Sequence, residues 1–117
     1  MAQQNNHIDY IEFKAKDLTK TKIFFREAFG WKFTDYAPTY TSFEASESGI
    51  AGGFETTDES IVNSVLVVLY HKELEKILSK VKDAGGVITK DIFSFPGGRR
   101  FQFLEPSGNE LAVWSDL

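Results

Sequence analysis

The segment Phe93-Ser94-Phe95-Pro96-Gly97-Gly98-Arg99-Arg100-Phe101-Gln102-Phe103 carries the densest chemistry in the chain. An arginine can grip a carboxylate or phosphate through two parallel N–H bonds, and a neighbouring ring offers a flat face on which an organic group stacks. The alternation after the Pro-Gly-Gly turn predicts a strand with Phe101 and Phe103 on one face, suited to lie under a helix, and Arg100 and Gln102 on the other. Arg100 then binds a ligand anion, pairs with Glu12 or Glu110, or stays in solvent. Phe95, in the aromatic turn beside it, joins the candidates.

Other chemistries lack their residues. The chain has no cysteine, which excludes thiolate metal sites, cysteine nucleophiles and disulfides. Gly49, Gly52 and Gly53 stand in no phosphate-cradling pattern between a strand and a helix, and no serine occupies a strand-to-helix elbow that would make a nucleophile with His7 or His71. With 13 basic against 17 acidic residues, scattered rather than striped, the footprint of a nucleic-acid binder is missing. The longest apolar run, Val65 to Leu69, is far short of the ~20 residues that cross a bilayer, so no membrane span is expected. The polar start, Met1 to Asn6, has no apolar signal core, and a cytoplasmic location is the expectation.

The elements that must position these residues are written twice. Ile8 to Phe13 reads as a strand. Asp17 then caps a helix with Leu18, Thr21, Phe25 and Ala28 on one face, and Gly30 ends it. Strands follow at Trp31 to Tyr36, Tyr40 to Ala45 and Ile50 to Phe54, with a turn at Ser46-Glu47-Ser48-Gly49. After a polar stretch the order returns: a strand at Val65 to Tyr70 and a helix with Leu74, Ile77, Leu78 and Val81 on one face, closed by Gly85 and Gly86. Strands at Val87 to Phe93, Arg99 to Leu104 and Glu110 to Trp114 complete it. Leu18 and Leu74 are 56 residues apart, as are Gly30 and Gly86, which identifies an internal duplication. The expected fold is α+β: one domain of two βαβββ modules, residues 7–54 and 64–115, with curved mixed sheets around a pocket.

Ile8 to Phe13, Asp17-Leu18 leading through Phe24-Phe25 to Phe29-Gly30-Trp31, and Phe103-Leu104-Glu105-Pro106-Ser107-Gly108-Asn109-Glu110-Leu111 resemble the vicinal oxygen chelate superfamily of glyoxalases, bleomycin-resistance proteins and extradiol dioxygenases. The resemblance covers nearly the whole chain. Its most specific part is the last, close to the family's Asp-Pro-x-Gly turn, with Glu105 for the usual Asp. Metal-dependent relatives carry His or Glu ligands on the first and last strands of each half. Those positions fall here on Tyr10, Gly53, Leu66 and Ala112, which supply no imidazole or carboxylate donor, so no metal or other cofactor is expected.

If Tyr10 faces the pocket, Glu12 shares its face, Tyr70 lies on the face of Leu66, and Glu110 and Trp114 lie on the face of Ala112. The candidate ligand-binding set is Tyr10, Glu12, Tyr70, Phe95, Arg100, Gln102, Glu110 and Trp114. General acid-base work by Glu12 or Glu110 is the catalytic reading these residues allow. Three functions follow: a metal-free module binding a small organic molecule between aromatic walls, which the vacant ligand positions favour; a divalent-metal-dependent lyase or isomerase similar to lactoylglutathione lyase; or an accessory protein whose pocket is vestigial. The resemblance also implies a homodimer.

Overall fold

The computed structural model describes residues 3–117. In chain order the elements are β1 (Ile11–Ala15), α1 (Leu18–Phe29), β2 (Thr34–Ala37), β3 (Tyr40–Phe43), α2 (Ala45–Ser48) and β4 (Gly52–Thr56). The second half follows with β5 (Val67–Tyr70), α3 (Leu74–Asp83), β6 (Val87–Phe95), β7 (Gly98–Leu104) and β8 (Glu110–Ser115). Apart from α2, a single helical turn where a non-helical turn is expected, the βαβββ order recurs. β1 begins at Ile11 instead of Ile8, leaving Tyr10 just ahead of the strand.

Each half forms a four-stranded mixed sheet, ordered β1-β4-β3-β2 and β5-β8-β7-β6. The first strand of each half runs parallel to the last, Ile11 opposite Gly52 and Val67 opposite Leu111. A parallel neighbour requires a crossover, which α1 and α3 open. α1 is bounded as its residues dictate. The Asp17 carboxylate accepts from the Lys20 backbone N–H at 3.0 Å, and Gly30 takes the left-handed conformation, φ 76°, as its N–H closes on the Arg26 carbonyl.

The buried stripe of α1 decides how the halves meet. Phe25 packs on Phe54 of β4 with ring centroids 5.2 Å apart, while Phe24 and Phe29 reach Phe103 of β7 at 5.9 and 6.0 Å. One cluster therefore contains the inward faces of both sheets and both helices. A fully buried ring contributes on the order of 2–3 kcal/mol, so this helix-centred layer is what joins the halves. The two sheets do not close on each other. Their other faces, the ones carrying the polar candidates, lie on the outside of the chain.

The second join is the turn after β7. Asn109, 1% exposed, donates from its side chain to the Lys14 carbonyl at 2.7 Å, accepts from Asn63 at 2.9 Å, and donates its backbone N–H to the Glu105 carboxylate at 2.8 Å. Glu105 is 2% exposed, and its second oxygen has no partner among the described residues. Burial raises its pKa to about 7, against the lowering effect of its bonds to the backbone of Asn109, Ser107 and Gly108.

Asn109→Ala leaves the Lys14 carbonyl without its donor and is expected to cost about 1–3 kcal/mol in urea unfolding; Asn109→Asp, which cannot donate, costs at least as much. Because the folded-state pKa of Glu105 lies above its unfolded value, its contribution to stability is fully present below pH ~4.5 and is lost as pH rises through 7. The denaturation midpoint of the wild type should fall across that window relative to Glu105→Gln. Parallel pH profiles for the two proteins would refute the assignment.

Candidate functional site

Two outward faces carry the candidates. On the first sheet the ladder sets Glu12 beside Gly53 and Gly53 beside Ser42. A Cβ built on Gly53 would lie 2.5 Å from the Tyr40 hydroxyl, 2.6 Å from that of Tyr10 and 2.8 Å from the Thr41 carbonyl. Only a glycine leaves room there for the two phenols, which hydrogen-bond to each other. Burial, followed by the hydrogen bonds to Tyr10 and Glu12, pushes the Tyr40 pKa above the ordinary tyrosine value. Lys14 pairs with Glu55 and lies 3.9 Å from Glu12, an exposed arrangement of small energetic weight.

The second face is aromatic and cationic. Phe101 and Phe103 are fully buried on the helix side, as the alternation predicts, and Arg100 and Gln102 lie on the opposite side. The ladder sets Trp114 beside both Arg100 and Tyr70. Ring centroids of Tyr70 and Phe95 lie 5.3 and 6.4 Å from that of Trp114, and the Arg100 guanidinium lies over Phe93 and Phe95 at 5.2 and 5.9 Å. Tyr70 donates to Asp116 at 2.6 Å, which raises its pKa.

Arg100 forms no ion pair among the described residues, and its Nε–H is buried without a partner. The pairing with Glu12 or Glu110 is not found. Glu12 belongs to the other sheet, and Glu110 accepts instead from Thr89 at 2.7 Å and Gln102 at 3.3 Å. Arg99 is the arginine that finds a carboxylate, on Glu75 of α3.

Of the eight candidates, the structure thus gathers Tyr70, Phe95, Arg100, Gln102, Glu110 and Trp114 on one face and sets Tyr10 and Glu12 on the other. Phe93 and Tyr40 are the additions. Phe93 falls at the end of a strand expected from the sequence, and only the pairing of β6 with β7 shows which face it takes. Tyr40 shares the face of Gly53, a relation visible once β3 is registered against β4.

A cleft of about 780 Å³ opens elsewhere, on the helix side between β1 and β5, walled by Phe13, Val67, Leu69 and Ile77 with Arg26 and Lys80 among its lining. Tyr70 is the one candidate that lines it. Its apolar walls are core or core-flanking side chains, its remaining lining includes Arg26, Glu27, Glu47, His71 and Lys80, and size alone does not make it the site.

No group of three or more His, Asp or Glu residues is gathered to hold a metal ion among the described residues. The first-strand neighbours of Gly53 and Ala112 are Glu12 and Val68, so even a two-residue shift of the ligand position brings in one carboxylate and no imidazole. His71 is engaged locally, its Nδ1 accepting from the Glu73 N–H at 3.0 Å. The residues present do not fit a divalent ion.

Solved structures share this arrangement. A glyoxalase/bleomycin resistance protein/dioxygenase family enzyme from Burkholderia phytofirmans PsJN matches with a TM-score of 0.80 at 15% identity, over 94% of this chain and 100% of that one. A glyoxalase-related enzyme from Fulvimarina pelagi matches at 0.81 and 17% identity, over 94% and 88%. A variant of the fosfomycin resistance protein of Listeria monocytogenes, solved with Mn(II) and 1S,2S-dihydroxypropylphosphonic acid, matches at 0.80 and 15%, over 96% and 91%. At these identities the likeness is one of fold. No curated protein sequence matches. The family model of the glyoxalase/bleomycin resistance protein/dioxygenase superfamily matches residues 7–113, nearly the whole chain, and this protein belongs to that superfamily.

Proposed function

We propose that this chain binds a small organic molecule, without a metal, against the aromatic face of its second sheet. The observation that carries the reading is the half-exposed group of Tyr70, Phe95 and Trp114, whose rings touch one another on an outward sheet face with an unpaired arginine among them. Tyr70 is 52% exposed. Such rings are a stacking surface with a polar handle. The relative from Listeria, solved with Mn(II) and a small phosphonic acid, supports small-molecule binding by this fold but not its metal-free form.

The outward position of both faces gives the homodimer its part. The first sheet offers phenols and Glu12, and the second offers rings and Arg100. When the first sheet of one copy faces the second sheet of another, a pocket closes between them, and each copy contributes to both pockets of the pair.

Light scattering on a sizing column should give twice the mass of the chain. Quenching of tryptophan fluorescence by 2-naphthol, a neutral arene, should saturate, and Trp114→Ala should weaken the binding measured by calorimetry at least tenfold. Elemental analysis after equilibration with Zn²⁺, Ni²⁺, Mn²⁺ and Fe²⁺ should find well under one metal per chain. Near-stoichiometric metal would overturn the metal-free reading, and absence of arene binding would overturn the small-molecule reading.

A further inference from the structure

Lys90 stands three residues before Phe93, a spacing that an unbroken strand would put on opposite faces. β6 is broken. Between the Lys90/Gln102 and Phe93/Arg100 pairs it advances three residues while β7 advances two, the signature of a β-bulge. The extra residue turns Phe93 onto the face of Lys90. One phenyl ring then has the Lys90 ammonium 4.4 Å from its centroid and the Arg100 guanidinium 5.2 Å from it. Two like charges share a ring, and neither is paired with a carboxylate among the described residues.

In a chain with four more acidic than basic charges, two cations drawn onto one ring make a local concentration of positive charge. Adjacent unpaired cations repel each other, and the ring beneath them relieves only part of that cost. An anion placed between them would remove it. The guanidinium is set among rings, with Trp114 as its ladder neighbour.

We propose that this face recognises a planar arene carboxylate. The carboxylate takes the fork of Arg100 and the charge of Lys90, and the ring stacks on Trp114. The proposal rests on the small-molecule reading above and specifies its ligand class. A carboxylate is planar and matches the two parallel donors of a guanidinium, whereas ammonium groups alone would set no preference for its plane.

Titration calorimetry with 2-naphthoate, 2-naphthol and 2-naphthyl phosphate, at pH 7 and low salt, separates the possibilities. 2-Naphthoate should bind at least tenfold more tightly than 2-naphthol. Arg100→Gln and Lys90→Gln should each remove most of that preference, Arg100→Lys should keep part of it, and raised salt should narrow it. Circular dichroism and unfolding curves establish that the variants fold; a variant that does not fold is replaced by Lys90→Met, which keeps the stem over Phe93.

Four results would overturn the proposal. Equal affinity for naphthoate and naphthol, or a preference that survives Arg100→Gln, shows that the cations do not select the ligand. Tenfold tighter binding of 2-naphthyl phosphate than of naphthoate assigns a phosphoryl anion instead. Dissociation of the homodimer by Arg100→Gln, with no naphthoate bound by the wild type, shows that the anion is a carboxylate of a second copy. Failure of 2-naphthol and naphthoate alike sinks the small-molecule reading itself, whereas binding of naphthol without a carboxylate preference sinks only the ligand class.

Discussion

The layer of rings supplied by α1 is the constraint on which the rest depends. Phe24 and Phe25 are buried and Phe29 packs against them, with α1 laid between Phe54 on one side and Phe103 on the other. Once the apolar side of each sheet is committed to that layer, the period of two assigns the alternate residues of the unbroken strands to the outside. Arg100 and Trp114 face outward because Phe101 and Val113 must face inward. The location of the polar chemistry thus follows from where the phenylalanines go.

The strand that carries Trp114 is held more firmly than an edge element would be. It is the second strand of its sheet, between β5 and β7. A Cβ on Gly98 would come within 2.1 Å of the Ser115 carbonyl, so β7 and the end of β8 approach as closely as glycine permits. Beyond the strand, Tyr70 holds Asp116, and Arg99 donates to the Leu117 carbonyl at 3.0 Å. At the other end of β8, Asn109 ties the strand to the first half. Side chains that must stack on a ligand benefit from a backbone fixed at both ends, since precision is lost when the support moves.

The element order and both helix stops were legible in the sequence because the pattern occurs twice and because Asp17, Gly30 and the Gly85-Gly86 pair have local roles. The assignment of Arg100 to the face opposite Phe101 and Phe103 was legible for the same reason, since alternation on β7 is unbroken. The side of Phe93 was not legible. It depends on the extra residue that β6 inserts, and nothing in Lys90-Asp91-Ile92-Phe93 marks a bulge, which is settled by pairing with β7. Nor could alternation show that the two polar faces point outward instead of at each other. That choice is made by Phe24 and Phe29 reaching across to Phe103, a contact between residues far apart in sequence.

Gly53 shows what has become of a position where the resemblance implies a metal ligand. It is the one backbone site beside Glu12 where two phenols converge, and any side chain there would collide with both hydroxyls and with the Thr41 carbonyl. The first face therefore carries a hydrogen-bonded tyrosine pair where the resemblance implies a donor group, and on the second Ala112 lies fully buried between Gln102 and Val68. Neither Gly53 nor Ala112 brings an imidazole or carboxylate, whereas the second face carries side-chain charge. Arg100 and Lys90 place positive charge over the ring of Phe93. Side-chain cations set over rings in this way attract an anion by charge and hydrogen bonding, without the polarising power of a directly coordinated ion.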